Sequence, residues 1–500
     1  MTSTITPASD TTPSSTDQFI QGIGPAAAIS LVVGSMIGSG IFIVSADIGR
    51  QVAPWGPGGL MLVWIITGLM TLAGALSYAE LAAMLPKAGG QYVFLRDGLS
   101  KSMGFLYGWT LFMVIQTGTI AAVGVAFAKF LGVLWPAITP DVWLPLGSVT
   151  MPGGPIELGL SNQRVVAIVM IVFLTWVNTR GVALGAKIQT VFTVAKVGAL
   201  AALVLLGLFV FRQPEAVAEN RGAFWGTASW SLAMLPVIGA AMVGSLFSSD
   251  AWNNVTFAAA EVRNPKKNLP LALAFGTALV STLYILANFA YLNVLPFSGS
   301  AEGTTVLARG IQHATQDRVG TAALEVMFGS VGATIMAVAI LVSTFGCNNG
   351  LILSGPRVYY AMAKDHLFFL EGAGRLHPVY RTPVMGLVAQ AGWAMFLCLT
   401  GTYGQLLDYV IFAALIFYLL TTVALFNFRR TQPYLPRPVK AFGYPVVPAL
   451  YIAAIAFLLV VLLVDPDKRK FSAFGLVIVA LGLPAYFLWH RRGHGGLDAP

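Results

Sequence analysis

Two stretches hold the residues best placed for chemistry. The first, Gly34-Ser35-Met36-Ile37-Gly38-Ser39-Gly40-Ile41-Phe42, sets three glycines and two serines within nine positions. The second, Phe247-Ser248-Ser249-Asp250-Ala251-Trp252-Asn253-Asn254, carries an aspartate. Each interrupts an apolar segment long enough to cross a bilayer, where a broken helix bares N–H and C=O groups that find no water. Such breaks persist where the bared backbone lines a cavity and grips a polar solute. An unwound turn at Gly38-Ser39-Gly40 would present amides at the start of the following half-helix, which is an anion site. The expected ligand group is a carboxylate, held by the Ser39 hydroxyl and the amides of Ser39 and Gly40, with Met36 and Ile37 beside them. In the second stretch, carbonyls freed around Phe247 and Ser248 suit an ammonium, and Asn253 is counted with them. Donors in one break and acceptors in the other fit a zwitterion.

Plainer readings stand beside these. Gly34 and Gly38 have the spacing by which small residues let helices approach in membranes. Asp250 is an ionisable group at bilayer depth and so a functional candidate. As a favoured N-cap it could equally start the second half-helix, and both roles can hold. Phe247 is read as an apolar gate over the substrate, against ordinary aromatic packing. Lys196 lies mid-segment, too far from either end to snorkel, so it should face the interior. There a fixed ammonium could do the electrostatic work of a coupled cation, or it could titrate; the plainer alternative is pairing with a carboxylate. Glu80 and Asp408 sit near helix ends and read as interfacial or structural. Residues Arg263 to Pro270 read as a loop that starts a helix.

Membrane spans must position these residues. Hydrophobic residues make up 57% of the 500 positions and charged residues 10%, against about 25% charge in soluble domains. Apolar runs of about 20 residues are read as spans. Twelve occur, near 22–50, 58–83, 103–134, 163–179, 185–211, 231–258, 271–295, 326–356, 384–401, 405–428, 444–464 and 471–489. The expected fold is all-α and integral to the membrane, with spans one and six discontinuous. Spans one to five (22–211) and six to ten (231–428) have related layouts, the geometry of a 5+5 inverted repeat. The last two helices (444–489) lie outside it. The Ser/Thr/Pro-rich residues 1–19 are expected to form a disordered tail, and 491–500 a second one.

The net charge of +9 does not imply nucleic acid. Alternate loops concentrate Lys and Arg, among them Lys87, Arg96, Lys101, Arg263, Lys266, Lys267, Arg429, Arg430 and Arg437, which places both termini in the cytoplasm by the positive-inside rule. The cluster Lys468-Arg469-Lys470 is on the wrong side of that pattern. Cys347 and Cys398 fall inside apolar segments and read as small hydrophobes. No phosphate-binding loop, Cys/His metal set or triad spacing occurs, so neither an enzyme nor a cofactor is expected.

With those residues in place, the chain resembles the amino acid–polyamine–organocation superfamily, and within it the L-type (light-chain) amino acid exchangers and their bacterial relatives. The likeness is carried by Gly34 to Phe42, Ser77-Tyr78-Ala79-Glu80-Leu81, Pro86 to Tyr92, Phe192 to Lys196, Trp252 through Pro265, and Arg357 to Ala363. It implies two inverted five-helix repeats and sodium-independent exchange of small to medium neutral amino acids by alternating access. It also implies that Gly38, Ser39 and Gly40 hold the α-carboxylate, and that backbone at Met36, Phe247 and Asp250 holds the α-amino group. Phe247 would close over the substrate, and Lys196 would stand where relatives bind sodium. The aspartate recurs in relatives that carry neutral amino acids, so Asp250 is no sign of a cationic substrate. Proton-coupled symport and cationic amino acid or polyamine transport stay as alternatives. Relatives often read Tyr-Asp-Gly-Trp where this chain has Ser249-Asp250-Ala251-Trp252, which makes that part of the site smaller and more polar. Animal light chains link a heavy chain through a cysteine after span three. The matching stretch, about 134–161, has none, so a stand-alone carrier in the cell membrane is expected.

Overall fold

The computed structural model describes residues 18–151, 154–400 and 403–494. The expected tails fall largely outside these residues. At their inner ends, Phe19 packs edge-on against Tyr360, and the last helix continues as Arg469–His494, so neither tail begins where the sequence suggested.

Among the described residues nine helices are long and apolar enough to span a membrane. The other three expected spans are short for identifiable reasons. The first is split into Pro25–Met36 and Val44–Gln51. The sixth is Leu235–Ser248 followed by single turns, Asn254–Phe257 and Ala259–Glu261. The ninth, Val384–Cys398, has 15 residues, roughly 22 Å at 1.5 Å per residue. With these the bundle has the twelve spans of an all-helical membrane transporter. One element is not helical: the loop after span three carries a two-stranded antiparallel hairpin, Leu144–Met151 with Gly154–Leu160, where alternation in a short loop gives no span-length signal.

Helix starts follow local chemistry. Ser100 and Ser161 accept hydrogen bonds from the amides of Met103 and Arg164, both at 3.2 Å, which caps spans three and four. Proline stands in the first turn of Gly56–Met84, Pro265–Val294 and Pro356–Lys364, where its missing N–H costs nothing. Span three contains a π-turn at Leu111–Ile115, and the Thr117 hydroxyl donates to the freed Phe112 carbonyl at 2.6 Å. Leu69, Phe209 and Leu232 are among many large apolar side chains left on the outside, as lipid-facing surfaces require.

The first span is the hub. Its opening helix packs against spans five, seven and eight. The opening helix of span six packs against span two, span ten and the Val44–Gln51 half. Spans eleven and twelve flank the bundle, on spans two and six and on spans three and ten respectively.

The two ends of the bundle are tied differently. On the face where span one begins, Ile23 and Val262 form a parallel bridge. Arg357, 1% exposed, makes a two-pronged pair with Glu261 at 2.7 and 3.0 Å. The stretch after span six, expected to be a plain loop, therefore anchors the start of span one. Glu80 is fully buried and held by Arg429, Arg437 and the Ala441 amide, a structural role. On the opposite face Arg50 pairs with Asp317 at 2.6 Å, and the Gln312 side chain donates to the Gly49 carbonyl.

Candidate functional site

Both broken spans unwind at mid-bundle and face each other. The opening helix of span one ends at Met36, and Ile37 turns extended (φ −77°, ψ 95°). A 3-10 turn follows at Gly40–Phe42 before helix resumes at Val44. Among the described residues the amides of Gly38 and Gly40 find no backbone carbonyl, so donors are left at the mouth of the break, as a carboxylate site requires.

The carbonyls of the same break are occupied. Lys196, 2% exposed, places its ammonium 2.8 Å from Gly34 O, 2.7 Å from Ile37 O and 2.8 Å from Ser343 O. Three donors meet three acceptors, and no carboxylate is involved. Ser343 Oγ donates to Ile37 O and Gly38 O at 3.0 and 2.9 Å, and Cys347 Sγ to Ser35 O at 3.0 Å. Gly34 is the packing glycine: a Cβ there would strike the Gln189 and Thr193 side chains. At Gly38 a Cβ would meet only Cys347 Sγ, at 3.5 Å. The two glycines that share one spacing thus do different work.

In span six the helix stops at Ser248 and the chain crosses Ser249 to Asn253 without helix. Ala251 sits at φ +64°, a region that costs an L-residue about 1–2 kcal/mol. Asn254–Phe257 starts at Asn253 with no side-chain cap, so Asp250 does not cap it. Instead the Asp250 carboxylate accepts from the Tyr418 hydroxyl of span ten. One hydroxyl joins the two breaks: Tyr284 OH of span seven lies 3.1 Å from Met36 O and 3.0 Å from Ser248 O.

A small, closed cavity of about 20 Å³ lies between the breaks, space for little more than a water molecule. Met36, Gly38, Ser39, Gly40, Phe247, Ser248 and Asp250 line it, together with Thr119, Val123 and Cys347. Ile37 does not reach it; that residue is fully buried and its carbonyl faces Lys196 and Ser343. Asn253 belongs to an adjoining chamber with Gln91, Tyr107 and Gln116, and its Nδ2 donates to Gln91 Oε1 at 2.6 Å. Thr119, Asp250 and Ala251 line both spaces. Asp250 is the one ionisable carboxylate at this junction among the described residues, with no basic side chain lining either space.

Tyr284, Tyr418, Thr119, Ser343 and Cys347 were not visible as site residues in the sequence. Lone tyrosines and threonines in apolar runs carry no spacing signal, and Cys347 reads as a small hydrophobe until its thiol is seen on the bared Ser35 carbonyl.

Comparison with known proteins agrees with this architecture. A family model described as amino acid permease matches residues 23–483. The serine/threonine exchanger SteT of Bacillus subtilis is 32% identical over 472 residues, covering 94% of this chain and 97% of that protein. The large neutral amino acids transporter small subunit 2 of Mus musculus is 29% identical, over 94% of this chain and 82% of its own. The Asc-type amino acid transporter 1 of Mus musculus is also 29% identical, over 93% and 80%. Two facing helix breaks, a polar cavity between them and a match that runs almost end to end have one meaning: the chain is a multi-pass membrane transporter belonging to the amino acid permease family.

Proposed function

We propose that this protein exchanges small to medium neutral L-amino acids across the cell membrane by alternating access, without sodium. The observation that carries the reading is the complementarity of the two breaks across one cavity. The amides of Gly38 and Gly40 offer donors to a carboxylate, and the Met36 and Ser248 carbonyls offer acceptors to an ammonium. The Tyr284 hydroxyl lies against both acceptors. The lining near the substrate side chain is small and polar or apolar, with no basic group to select an acidic one. The serine/threonine and neutral amino acid exchangers among the relatives support the same substrate class.

Lys196 serves as the fixed cation of the site in this reading. An ammonium has one proton for each of the three carbonyls that surround it, whereas a neutral amine has only two. That stoichiometry favours exchange over proton symport. Residues 22–211 and 231–428 act as the two repeats, with 444–489 at the periphery; a broken span at the head of each half supports the division. Both termini are cytoplasmic, in keeping with the basic loops on their side. The protein works without a covalent heavy chain, since the hairpin loop after span three has no cysteine. Uptake into proteoliposomes separates the readings. Exchange requires amino acid inside the vesicle, whereas accumulation into empty vesicles driven by an imposed pH gradient would establish symport.

A further inference from the structure

An open hollow on the bundle lies away from the substrate cavity, on the face where span one begins. It measures about 410 Å³ and is lined by Leu99, Ser100, Val423, Phe426, Asn427 and Arg430. Val423, Phe426, Asn427 and Arg430 are spaced three, four and seven apart, so they form one stripe of span ten. The stripe rises roughly 10 Å from Val423 to Arg430. It is apolar toward the bilayer interior and cationic where the helix ends at Thr431.

The facing wall is the junction between the short helix Gln91–Gly98 and span three. Asn427 Nδ2 donates to the Gly98 carbonyl at 2.6 Å and ties that junction to span ten. Ser100 caps span three there. Arg429, next in sequence, is committed to Glu80 and to the Tyr444 ring at 3.7 Å. Arg430 is exposed and, among the described residues, meets no acidic partner. Lys101, one residue past Ser100, is likewise exposed and unpaired among them.

We propose that this groove binds an anionic phospholipid of the adjacent leaflet. Its phosphate sits on Arg430 and Lys101, and the start of an acyl chain runs along Leu99, Val423 and Phe426. A guanidinium beside an apolar trough at headgroup depth matches a phosphodiester on a hydrocarbon chain. A neutral zwitterionic lipid gives the two cations less, and a soluble anion leaves the trough unfilled. The occupied groove clamps the Gln91–Gly98 helix to span ten. That helix also reaches under the substrate site, where Gln91 bonds Thr421 at 3.0 Å and Asn253 at 2.6 Å.

The test uses the purified full chain in neutral detergent, with thermal shift and native mass spectrometry read in parallel. The probes are phosphatidylglycerol, phosphatidylcholine with the same acyl chains, and glycerol 3-phosphate as a free headgroup. Phosphatidylglycerol should raise the melting temperature and remain bound as an adduct, and the other two should do neither. Arg430→Gln should lose most of the shift and the adduct, and Arg430→Lys should retain part of both. Lys101→Gln, on an exposed first turn, gives the same comparison should Arg430→Gln not fold. An unchanged response in the Gln variants would mean diffuse attraction and overturn the site. Glycerol 3-phosphate reproducing the shift would overturn the lipid assignment.

Discussion

Gly40 of the first break lies directly against Ser248 of the second. A Cβ on Gly40 would collide with Ser248 Oγ and Cβ and stand 3.1 Å from its Cα. The two unwound segments are therefore in van der Waals contact beside the cavity, and the distance between donors and acceptors is set by the absence of one carbon. Gly40→Ala should wedge them apart, an overpacking cost of about 1–3 kcal/mol, and lower exchange by at least about tenfold. Gly38→Ala, which meets only Cys347 Sγ at 3.5 Å, should be much milder. Counterflow of labelled amino acid in proteoliposomes compares them, and equal activity in the two variants would refute the contact.

Tyr284 OH bridges Met36 O and Ser248 O, so Tyr284→Phe strips the single hydroxyl proton that the two buried carbonyls share. Each buried group left unsatisfied costs about 1–3 kcal/mol, and the empty protein should melt lower. A bound ammonium would supply the missing donors. Saturating substrate should therefore raise the melting temperature more in Tyr284→Phe than in the wild type. A smaller substrate-induced rise would show that the ammonium goes elsewhere.

Much of this arrangement was legible in the sequence because it rests on residues that break a pattern. Glycines and serines clustered inside apolar runs mark both interruptions, and a mid-span lysine marks Lys196. What the sequence hid are the partners that satisfy the bared backbone, since a tyrosine such as Tyr284 or a serine such as Ser343 is compatible with any helix face. Of the two roles left open for Asp250, capping is the one the structure does not use, for a related reason. Capping is a local rule, but the Tyr418 hydroxyl that takes its carboxylate comes from 168 residues away.

Lys196 holds spans one and eight together through Gly34, Ile37 and Ser343 carbonyls. Lys196→Ala removes the charge and one donor from each of the three carbonyls, leaving Ile37 O with Ser343 Oγ alone, and exchange should fall to background. Lys196→Met, close in volume, should fare no better, which separates charge from packing. Ser343→Ala removes only the two hydroxyl bonds to Ile37 and Gly38 and should retain measurable turnover. Normal exchange in Lys196→Met would eliminate the fixed-cation role.

Asp250 is engaged by Tyr418, a geometry in which its carboxylate braces the break. Asp250→Asn keeps the shape and an acceptor for the tyrosine. Binding of neutral amino acids should then fall only modestly, by about 1 kcal/mol or less, and Tyr418→Phe should resemble it. A cationic substrate using Asp250 as counter-charge would behave differently, with loss of dibasic ligands and retention of neutral ones. Thermal-shift titrations of alanine, serine, lysine and putrescine against both variants read the difference.

Ala251 adopts φ +64° within the second break, at the position where the resemblance to related exchangers places a glycine. Strain of about 1–2 kcal/mol is stored there. Glycine would relieve it while gaining flexibility in the unfolded chain, so part of the benefit cancels. Ala251→Gly should therefore match or slightly exceed the wild type in melting temperature and keep its exchange activity. Ala251→Val sets a β-branched residue in the same left-handed conformation and should lower both sharply. Because Ala251 also lines the cavity, the melting temperature without substrate is the readout that reports on the backbone. A valine variant as stable as the wild type would mean that this residue does not hold a left-handed turn, and the geometry assigned to the second break would have to be redrawn.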